Sequence, residues 1–485
     1  MAHRSPRELI ELYWDEVWNN RRAELIREIC ADPIVRHDPG SVTALSVEDQ
    51  IARVRQQSEK LEPCFTHEVL LADDTYVTSV WNMHTRKGER IELCGIEVFK
   101  AVDGKFTDCW NSSYTPGFWG REGDASVPAD LPPPPLIAGA DQITPQWIQA
   151  VLQQAGLEAP RVSLLNTKPI GHGNLSATLR TEITYNANAA DAVRSVVAKL
   201  TSGIGQAVEI AAAHDVYRRE CEVYGFLGET PPLATPRCYW RNVGPDGRTI
   251  NLVLEDLSER TRPGNQIAGC SVAEAEAVAR ELAALHAAFW DDARLDVAEW
   301  LYNRAADAET AAVTNMLAAK AFRERFTGRA DPAMLDAIDA VVADLPRHFA
   351  AIPRGRTLVH GEPRVDNVLF EDGAEGPRAW LIDWQFADCG SPMFDLAYFL
   401  SGSLTVEDRR SIDGTLVERH HAAIAAKDPS YTLDHARAEF AGSLPLALYF
   451  SVGAILAMPP SEHGDLLLLT LAERNVAALR DWGVV

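Results

Sequence analysis

The chain has 485 residues, more than one compact hydrophobic core normally holds, which predicts roughly two to four domains. Hydrophobic residues make up 46% of it and charged residues 24%, as is ordinary for a soluble globular protein. The formal net charge of −23 disfavours nucleic acid or an anionic membrane as the main partner. We therefore expect neither a nucleic-acid partner nor a membrane partner.

Targeting and redox features predict a cytoplasmic protein. The N-terminal stretch "MAHRSPRELIELYWDEVWNN" has no apolar core of signal-peptide length. The most apolar stretch, "LPLALYFSVGAILAMPP", is shorter than the roughly 20 residues of a membrane span, so we expect a buried helix there. The 8 cysteines are scattered without a CxxC pair, which favours reduced thiols over a disulfide framework or a zinc site.

A proline-rich stretch divides the chain. Residues 122–142, "EGDASVPADLPPPPLIAGADQ", contain four consecutive prolines, which favour extended geometry and a semi-rigid spacer. We predict a first domain over residues 1–121, a linker over 122–142 and a second region over 143–485.

The first domain is predicted to begin with helices and to continue as a sheet. Apolar residues recur at helical spacing in "RELIELYWDEVW" and in "VEDQIARVRQQSEKL". Strand-like runs follow in "HEVLLAD", "TYVTSVWNMHT", "RIELCGIEVFKA" and "KFTDCWNSS", with turn residues between them. Helices followed by an antiparallel meander predict an α+β fold.

Two motifs of this domain resemble a known family. The stretch "GERIELCGIEVFKAVDGKFTDCW", together with "VRHDPG", resembles the SnoaL-like polyketide-cyclase branch of the nuclear transport factor superfamily. The resemblance implies a cone-shaped sheet around a pocket, which some members use for catalysis and others only for binding. It also implies that such domains often form homodimers. The candidate pocket residues are His37, Asp38, Trp81, His84, Glu97, Trp110 and Tyr114.

The pocket residues leave two interpretations open. A histidine beside an aspartate, as at His37 and Asp38, can act as an oriented acid–base pair. Alternatively, these two residues cap a loop and the tryptophans belong to the core. Trp81 and His84 differ in strand parity, so both face one pocket only if the strand contains a bulge.

The second region begins with features that favour nucleotide binding. Thr144 is placed to cap the helix "ITPQWIQAVLQQAGL". "KPIGHGNLSATLRTEITY" then predicts two strands around a turn in which Gly171 and Gly173 let backbone amides approach phosphates. Lys199 lies on the short strand "SVVAKL", and Glu220 lies in the helical run after it. Each residue alone has an ordinary structural explanation, but their order is that of a kinase.

The same order continues towards the C-terminus. "INLVLEDL" predicts a hydrophobic strand leading to a hinge that meets adenine. His286, in the helix "AVARELAALHAAFW", is predicted to be a structural residue between helices. The loop "LVHGEPRVDNVLF" carries Asn367, and Asp383 follows in "WLIDWQFADCGSPMFDLAYFL".

This series resembles the aminoglycoside-phosphotransferase and choline-kinase-like enzymes, and "LAALHAAFW" is similar to their ecdysteroid-kinase-like relatives. The resemblance implies a bilobal protein-kinase-like fold with an N-lobe over residues 143–258 and a C-lobe over 259–485. It implies that ATP or GTP binds with Mg²⁺, that Asn367 and Asp383 hold the metal, and that Asp395 pins the catalytic loop. The implied nucleotide-binding residues are Gly171, Gly173, Asn174, Ser176, Lys199, Glu220 and Glu255.

The implied acceptor is the hydroxyl of a small molecule. No long segment separates "IDWQ" from "DLAYFL", which disfavours a protein substrate. The family builds its acceptor site from the helical C-terminal region, which here is apolar, and this favours a hydrophobic alcohol such as a terpenoid, steroid or polyketide. The alternative is that the apolar segment is simply core.

Glu362 stands where the family places a catalytic aspartate. Its carboxylate reaches roughly 1 Å further, and a misplacement of that size can cost about 10²-fold in rate. Pro363 biases Glu362 towards an extended backbone, and Asp366 is expected to point away. We predict an active but retuned site in which the catalytic residues are Glu362, Asn367, Asp383 and Lys199.

Two further hypotheses remain. The second region could be a pseudokinase scaffold that binds nucleotide without transfer, with the first domain as the binding or catalytic unit. The fusion could also be sequential, with phosphorylation of an alcohol followed by elimination or rearrangement in the SnoaL-like pocket.

Overall fold

The computed structural model describes residues 4–87, 91–119, 132–171, 175–186, 191–302, 308–350 and 356–485. The chain forms two compact units, Met1–Val127 and Pro128–Val485. Both contain helices and sheet, so the α+β class predicted from the sequence is confirmed.

The first unit has three α-helices, and the first of them continues as a π-helical segment over Leu12–Asn19. Its helices are α1 (Pro6–Glu11), α2 (Ile26–Ile29) and α3 (Val47–Leu61). Its strands are β1 (Cys30–Asp38), β2 (Ser41–Leu45), β3 (Pro63–Ala72), β4 (Tyr76–Thr85), β5 (Glu92–Val102), β6 (Lys105–Asn111) and β7 (Thr115–Pro116). They form one sheet in the order β2-β1-β6-β5-β4-β3, with β7 paired to β5.

The predicted meander is correct for β3 to β6, but the sheet is not purely antiparallel. Strand β1 pairs in parallel with β6 and antiparallel with β2. The sequence "CADPIVRHD" of β1 shows no clear alternation, because only Cys30 and Ile34 are fully buried in it. Such a strand resembles a loop until its neighbours are known.

The helices cover one face of this sheet. In α3, Val47, Ile51 and Val54 recur at helical spacing and are buried, and Ser46 caps the helix by accepting from the amide of Asp49. They contribute to a core with aromatic residues of the first helical segment. Gly95 lets the Trp81 indole lie across β5, because a Cβ at Gly95 would come within 2.5 Å of that ring.

The second unit is larger and mostly helical. Its helices are α4 (Pro145–Gln154), α5 (Gly205–Ala213), α6 (Val216–Leu227), α7 (Val272–Ala288), α8 (Ala308–Phe326), α9 (Pro332–Ala343), α10 (Leu345–Ala350), α11 (Pro392–Ser403), α12 (Val406–Ala425), α13 (Leu433–Gly453) and α14 (Glu462–Asp481). Its strands are β8 (Val162–Pro169), β9 (Ser176–Tyr185), β10 (Ser195–Thr201), β11 (Cys238–Val243), β12 (Ile250–Glu255), β13 (Arg262–Pro263), β14 (Thr357–Val359), β15 (Val368–Gly373), β16 (Gly376–Leu381) and β17 (Asp388–Gly390).

These elements form the two lobes of a protein-kinase-like fold. A five-stranded antiparallel sheet in the order β11-β12-β10-β9-β8 makes the N-lobe, and α6 packs against it. Helices α4 and α5 also belong to the N-lobe, since α4 packs against β8 and β11 and α5 packs against α6. In the described residues the C-lobe holds helices α7 to α14 with two small sheets, β13-β15-β16 and β14-β17. The predicted catalytic loop lies between β14 and β15.

The proline-rich stretch is not a free spacer along its whole predicted length. The backbone N–H and C=O of Ile137 bond the side chain of Asn251 at 2.7 and 2.8 Å. The indole N–H of Trp147 donates to the carbonyl of Pro135 at 2.9 Å. From residue 132 onward, the predicted linker 122–142 is part of the second unit, because its backbone groups are bonded to the N-lobe.

The apolar C-terminal stretch lies in helix α13, as predicted. Together with the turn after it, the segment Leu433–Leu456 is long and apolar enough by composition to cross a membrane. However, 56% of its most apolar window is buried within the protein, and α13 packs against α11 and α14. The packing is that of a core helix.

Candidate active site

Three residues far apart in the sequence meet between the lobes of the second unit. Lys199 lies in the middle of β10, where it pairs with Thr178 of β9 and Leu252 of β12. Its Nζ donates to Oε1 of Glu220, which is on α6, and to Oδ1 of Asp383 at 2.9 Å. The predicted pairing of a strand lysine with a helix glutamate is therefore present.

The charges of this cluster depend on one another. Burial lowers the pKa of Lys199, but the carboxylates of Asp383 and Glu220 outweigh it and raise that pKa above its ordinary value. Burial raises the pKa of Asp383, yet the neighbouring Lys199 brings it below the ordinary value. At Glu220 burial prevails over Lys199, so its pKa is raised. Lys199 stays charged and keeps Asp383 ionised.

The start of the catalytic loop is fixed by Asp395 on α11. Its buried carboxylate accepts from the backbone amides of His360 and Gly361 at 2.6 and 3.0 Å. Gly361 has a φ of 86°, and a Cβ there would lie 1.9 Å from the carbonyl oxygen of Phe386. Only glycine fits this position. The predicted role of Asp395 in pinning the loop is confirmed.

Two buried histidines continue this network. The Nε2 of His286 donates to Oδ2 of Asp395 at 3.1 Å, and its Nδ1 lies 2.8 Å from Nε2 of His420 on α12. Burial lowers the pKa of His420 well below its ordinary value. His286 is thus a structural residue between helices, as predicted.

His360 itself is also structural. Its Nε2 donates to the carbonyl of Ile382 at 2.9 Å, and its Nδ1 accepts from the amide of Glu362 at 3.4 Å. Burial lowers the pKa of His360, so the ring is neutral. It ties the catalytic loop to the strand end that presents Asp383.

Asn367 and Asp383 are held on neighbouring segments. The Asn367 amide nitrogen donates to the carbonyl of Glu362 at 3.0 Å, and the amide of Ile382 donates to the backbone carbonyl of Asn367 at 3.1 Å. Among the described residues, Oδ1 of Asn367 accepts no hydrogen bond. An amide oxygen beside a carboxylate is a donor set that suits Mg²⁺.

No cluster of three or more His, Cys, Asp or Glu side chains suited to a metal occurs in the described part of the chain. A cation held by Asn367 and Asp383 would therefore take its remaining ligands from water or phosphate oxygens. Asp383 has a φ of 70°, a left-handed conformation that is rare for this residue type. Strain of this kind is often found at functional sites.

Glu362 lies beside Asn367 and close to Arg364. Its Oε1 is 3.8 Å from Nε of Arg364, and only 12% of its side chain is exposed. Asp366 points away from this group, because its Oδ1 accepts from the backbone amide of Gln266 at 2.8 Å. The expectation that Asp366 is not a substitute base agrees with this geometry.

A pocket opens next to Glu362 and is lined mainly by the C-terminal helices. It holds roughly 530 Å³ of space, part of which is open to solvent. Its lining comes from the loop 360–367, from helices α11, α13 and α14, from the segment after α13 and from the segment before α7. It comprises Gln266, Glu362, Arg364, Tyr398, Gly402, Ala447, Phe450, Ser451, Ala454, Met458, Leu467, Leu468, Leu471 and Asn475. Both interpretations of the apolar segment thus hold in part, since one side of α13 is core and another lines this pocket.

Several of the predicted nucleotide-binding residues lie where β8 ends and β9 begins. Gly171 has a φ of 74° with open space around it, and Ser176 begins β9, paired with Thr201 of β10. Gly173 and Asn174 lie outside the described residues.

Glu255 ends β12, as the predicted hinge requires. However, its carboxylate accepts from the backbone amide of Arg237 at 3.2 Å and from the Arg260 guanidinium at 2.9 Å. The Glu255 side chain is thus engaged in holding the end of β12 to Arg237 and Arg260.

In the first unit, four polar side chains form a chain of hydrogen bonds. The guanidinium of Arg36 donates to the carboxylate of Asp38 at 2.9 Å and to the hydroxyl of Tyr114 at 2.9 Å. That hydroxyl donates to Oε1 of Glu97 at 3.0 Å. Glu97 is 4% exposed, and burial raises its pKa although Arg36 opposes this. Trp81 packs edge-on against Tyr114 with ring centroids 5.2 Å apart.

The predicted pair of His37 and Asp38 is wrong. Adjacent strand residues point to opposite faces, so Asp38 joins Arg36 while His37 lies on the other face. There His37 stacks on Trp110, with ring centroids 4.6 Å apart, and its Nε2 lies 3.1 Å from Oδ1 of Asp108. His37 and Trp110 therefore do not share the site of Glu97.

His84 does not join the site of Trp81 either. Strands β4 and β5 pair without a register shift, so the two residues stay on opposite faces of β4. The His84 ring lies 6.3 Å from that of Phe118. The parity argument made from the sequence gives the correct result here.

The sequence reasoning missed Arg36 and Arg364. The first is separated from Asp38 by one residue, a spacing that would have placed both on one face had β1 been recognised as a strand. The second lies two residues after Glu362, inside the quoted loop motif, and its charge was the available signal.

Comparisons with known proteins bear on both units. The profile of the ecdysteroid kinase-like family matches residues 171–427, more than half of the chain. The profile of the SnoaL-like domain matches residues 10–109. A comparison with curated protein sequences finds no match.

Several solved structures are similar to part of the chain. A putative polyketide cyclase from Acidithiobacillus ferrooxidans is 24% identical, with 23% of this chain and 89% of that chain covered and a TM-score of 0.21. IdmH, a putative polyketide cyclase from Streptomyces antibioticus, is 16% identical, with 22% and 91% covered and a TM-score of 0.21. These similarities carry no argument about activity.

Proposed function

This chain belongs to the ecdysteroid kinase-like family, and from that premise we propose that its second unit is an ATP-dependent O-phosphotransferase. Its substrate is a hydroxyl of a small hydrophobic molecule, such as a terpenoid, steroid or polyketide-like compound. The observation that carries the proposal is the convergence of Lys199, Glu220 and Asp383, which lie on β10, on α6 and after β16.

The proposed roles follow from the charges and hydrogen bonds of the site. Asn367 and Asp383 hold the cation, and Lys199, braced by Glu220, contacts the phosphates. When bound, Mg-ATP supplies the phosphoryl group and a divalent charge that neutralises it. Asp395 and His360 keep the loop in place, so the donors need little rearrangement.

Glu362 is the proposed base. In transfer, the acceptor oxygen bonds to the γ-phosphorus while the bond from that phosphorus to the ADP oxygen breaks, and the hydroxyl proton passes to Glu362. Its carboxylate reaches further than that of an aspartate by one methylene. The backbone amide and carbonyl of Glu362 are both hydrogen-bonded, which fixes the position from which its side chain extends. This supports an active site that has adapted to glutamate over one that has lost its activity.

The pocket supports an apolar acceptor. Ala447, Phe450 and Ala454 on one side, and Leu468 and Leu471 on the other, line the space next to Glu362. A volume of a few hundred Å³ is usual for sites of small ligands, and an apolar lining favours burial of a hydrocarbon body.

A transfer assay tests this proposal. The full chain is incubated with Mg-ATP and a panel of hydrophobic alcohols, and phosphorylated products are measured by mass spectrometry. Asp383→Asn, which removes one charge from the cation site, serves as the inactive control. Transfer to at least one alcohol by the parent but not by this variant is the expected result.

The rival hypothesis of a pseudokinase scaffold predicts a different outcome. Measurable binding of Mg-ATP without transfer to any alcohol would favour it over phosphotransfer. Lys199, Asn367 and Asp383 at one site suit both hypotheses, because each requires bound Mg-ATP, and the carboxylate of Glu362 beside them is what favours transfer. We expect MgCl₂ to be required for turnover, with GTP tested beside ATP.

The first unit is proposed to act on the phosphorylated product. The chain from Asp38 through Arg36 and Tyr114 to Glu97 favours this, because it places a carboxyl group paired with a guanidinium near a buried carboxyl whose pKa is raised. Asp38 would remove a proton from carbon, a double bond would form, and the carbon–oxygen bond to phosphate would break. A stable phosphorylated product without release of phosphate from the full chain would contradict this step.

We also propose that the first unit forms a homodimer through the uncovered face of its sheet. One row of paired residues crosses all six main strands there and consists of Leu71, Thr78, Val98, Trp110, His37 and Val42. Leu71 and Val42 are 66% and 68% exposed.

A second copy of this chain suits that face in size and charge. Six strands give it a width of roughly 24 Å and a length of about 30 Å, near the area that one partner of a stable dimer buries. Lys100 and Asp108 lie on the same face, so two copies related by a two-fold axis can pair opposite charges, although each chain carries a net charge of −23. The 8 free thiols suit the cytoplasmic location expected from the sequence.

A further inference from the structure

The pocket beside Glu362 has one cationic side chain among the described residues that line it, Arg364. The other polar groups of the lining are neutral, apart from Glu362 itself. In a protein with a net charge of −23, a guanidinium on the wall of a mainly apolar pocket needs a physical explanation.

The backbone holds Arg364 in a fixed position. Its amide donates to the carbonyl of Glu362, and its carbonyl accepts from the amide of Asn367, both at 2.8 Å. The next amide, that of Val365, donates to the side chain of Gln266 at 3.0 Å. The guanidinium therefore extends from the same rigid loop that carries the proposed base and a cation ligand.

The guanidinium makes no hydrogen bond to the described residues. Its Nε is buried without a partner, and the side chain as a whole is 37% exposed. Oε1 of Glu362, at 3.8 Å from Nε, lies beyond hydrogen-bond reach. A buried donor without a partner is costly, and arginine usually binds carboxylates through two short, parallel bonds.

The charge of Arg364 is nevertheless secure. The pKa of Arg364 lies above its ordinary value, chiefly because the Glu362 carboxylate is near, and Asp383 acts in the same direction. The site thus presents a positive charge whose donors are not taken up by any described residue, next to the carboxylate that takes the hydroxyl proton.

We propose that the acceptor is an apolar hydroxy acid, whose carboxylate binds the guanidinium of Arg364 while its hydroxyl meets Glu362 and its hydrocarbon body fills the pocket. This inference rests on the proposed phosphotransfer and names the substrate class of the same site. Because Arg364 and Glu362 approach within 3.8 Å, the carboxylate and the hydroxyl belong on neighbouring carbons or one carbon apart.

An alternative is that Arg364 serves only to hold Glu362. Such a role normally gives a short, bidentate pair, which the distance of 3.8 Å does not show. The two roles also differ in their consequences. If Arg364 only holds the Glu362 carboxylate, substituting Arg364 should have no effect on acid binding in Glu362→Gln. If Arg364 binds the acid, the substitution should still weaken acid binding in Glu362→Gln.

The experiment compares three probes with one carbon skeleton: 3-hydroxydecanoate, its methyl ester and 1,3-decanediol. Transfer from Mg-ATP is measured for the parent, Arg364→Met and Arg364→Lys, and binding of each probe is measured by calorimetry without nucleotide. Arg378→Met is the matched control. Arg378 also lies 3.8 Å from a carboxylate, that of Glu371, but it is 57% exposed and does not line the pocket.

We expect the parent to prefer the acid by about 10- to 100-fold in kcat/KM, the loss expected for one charge-assisted hydrogen bond. Arg364→Met should abolish the preference for the acid over the diol, Arg364→Lys should keep part of it, and Arg378→Met should leave it intact. In Glu362→Gln, acid binding should still depend on Arg364.

Two results would overturn the inference. One is an equal kcat/KM of the parent for acid, ester and diol, a result that is compatible with the proposed phosphotransfer but not with a hydroxy acid as the preferred acceptor. The other is acid binding that does not change in Arg364→Met and Arg364→Lys. If Mg-ATP and the acid both bind but no probe is phosphorylated, the proposed phosphotransfer is contradicted. The binding of the acid by Arg364 is then judged only from whether acid affinity falls in the Arg364 variants.

Discussion

Lys199 and Asp383, which are 184 residues apart in the sequence, are joined by a hydrogen bond of 2.9 Å from Nζ to Oδ1. The same ammonium group also binds Glu220. Two carboxylates thus depend on one cation in a mostly buried site, where their mutual repulsion is screened little by water. The consequence is that removal of this single charge should affect both chemistry and stability.

Lys199→Met tests this dependence. We expect phosphotransfer to fall by on the order of 10²-fold or more, since a donor to the transferring group is lost. We also expect the free energy of unfolding to fall by about 3 kcal/mol near neutral pH, because two buried carboxylates lose their counterion.

The loss of stability should depend on pH. Without Lys199, the folded-state pKa values of Glu220 and Asp383 rise above their unfolded values, so the folded variant binds more protons than the unfolded chain. The free energy of unfolding of the variant, relative to that of the parent, should therefore be lower at pH 8 than at pH 5, as measured by urea denaturation. Lys320→Met, at a side chain that is 76% exposed, is the control and should change little at either pH.

Substitutions of Glu362 test the identity of the base. Glu362→Ala should lower kcat by about 10²- to 10⁴-fold, the usual contribution of general base catalysis. Glu362→Asp should be slower than the parent by about 10²-fold, because the loop positions the longer side chain. An alanine variant that transfers phosphate as fast as the parent would show that Glu362 is not the base.

Local patterns in the sequence were enough to locate the kinase-like site but not to complete it. Lys199 and Glu220 were found because a lysine in a β-branched strand and a glutamate in the next helical run are local signals. His37 was misassigned because β1 was not recognised, and an unrecognised strand hides which neighbours share a face.

The lining of the pocket lay beyond such reasoning. Tyr398, Phe450 and Leu471 come from separate helices, and only the packing of α11, α13 and α14 brings them to Glu362. Periodicity predicts that a helix has a buried face, but it does not say whether that face meets core or an open pocket.

Gly361→Ala tests how strictly the loop requires glycine. The new Cβ would lie 1.9 Å from the carbonyl oxygen of Phe386, and the φ of 86° is unfavourable for alanine. We expect a loss of at least about 3 kcal/mol of stability together with loss of transfer. Gly328→Ala is the control, since its φ is 81° but its Cβ would meet open space. It should cost only about 1 kcal/mol, as thermal denaturation can show.

Glu97→Gln tests the buried carboxyl of the first unit. Because burial raises the pKa of Glu97, the folded parent holds a proton that the unfolded chain has released, and its stability should fall as pH rises from about 4.5 through the raised pKa. Glutamine cannot ionise, so the variant should lose this dependence. Hydrogen exchange of β5 amides in the full chain, followed between pH 5 and 8, measures the difference. Parallel pH profiles for parent and variant would contradict the assignment.

Leu71→Lys and Val42→Lys test the proposed dimer face. Both side chains are more than half exposed, so a lysine there should leave the fold of one chain intact while it replaces an apolar contact by a charge at each end of the row that crosses the face. We expect sedimentation velocity to show a dimer for the parent and a monomer for the double variant at the same concentration. Leu164→Lys changes a side chain of β8 that is 63% exposed and lies outside this face, so it should stay dimeric. A dimer that survives both substitutions would place the interface elsewhere on the chain.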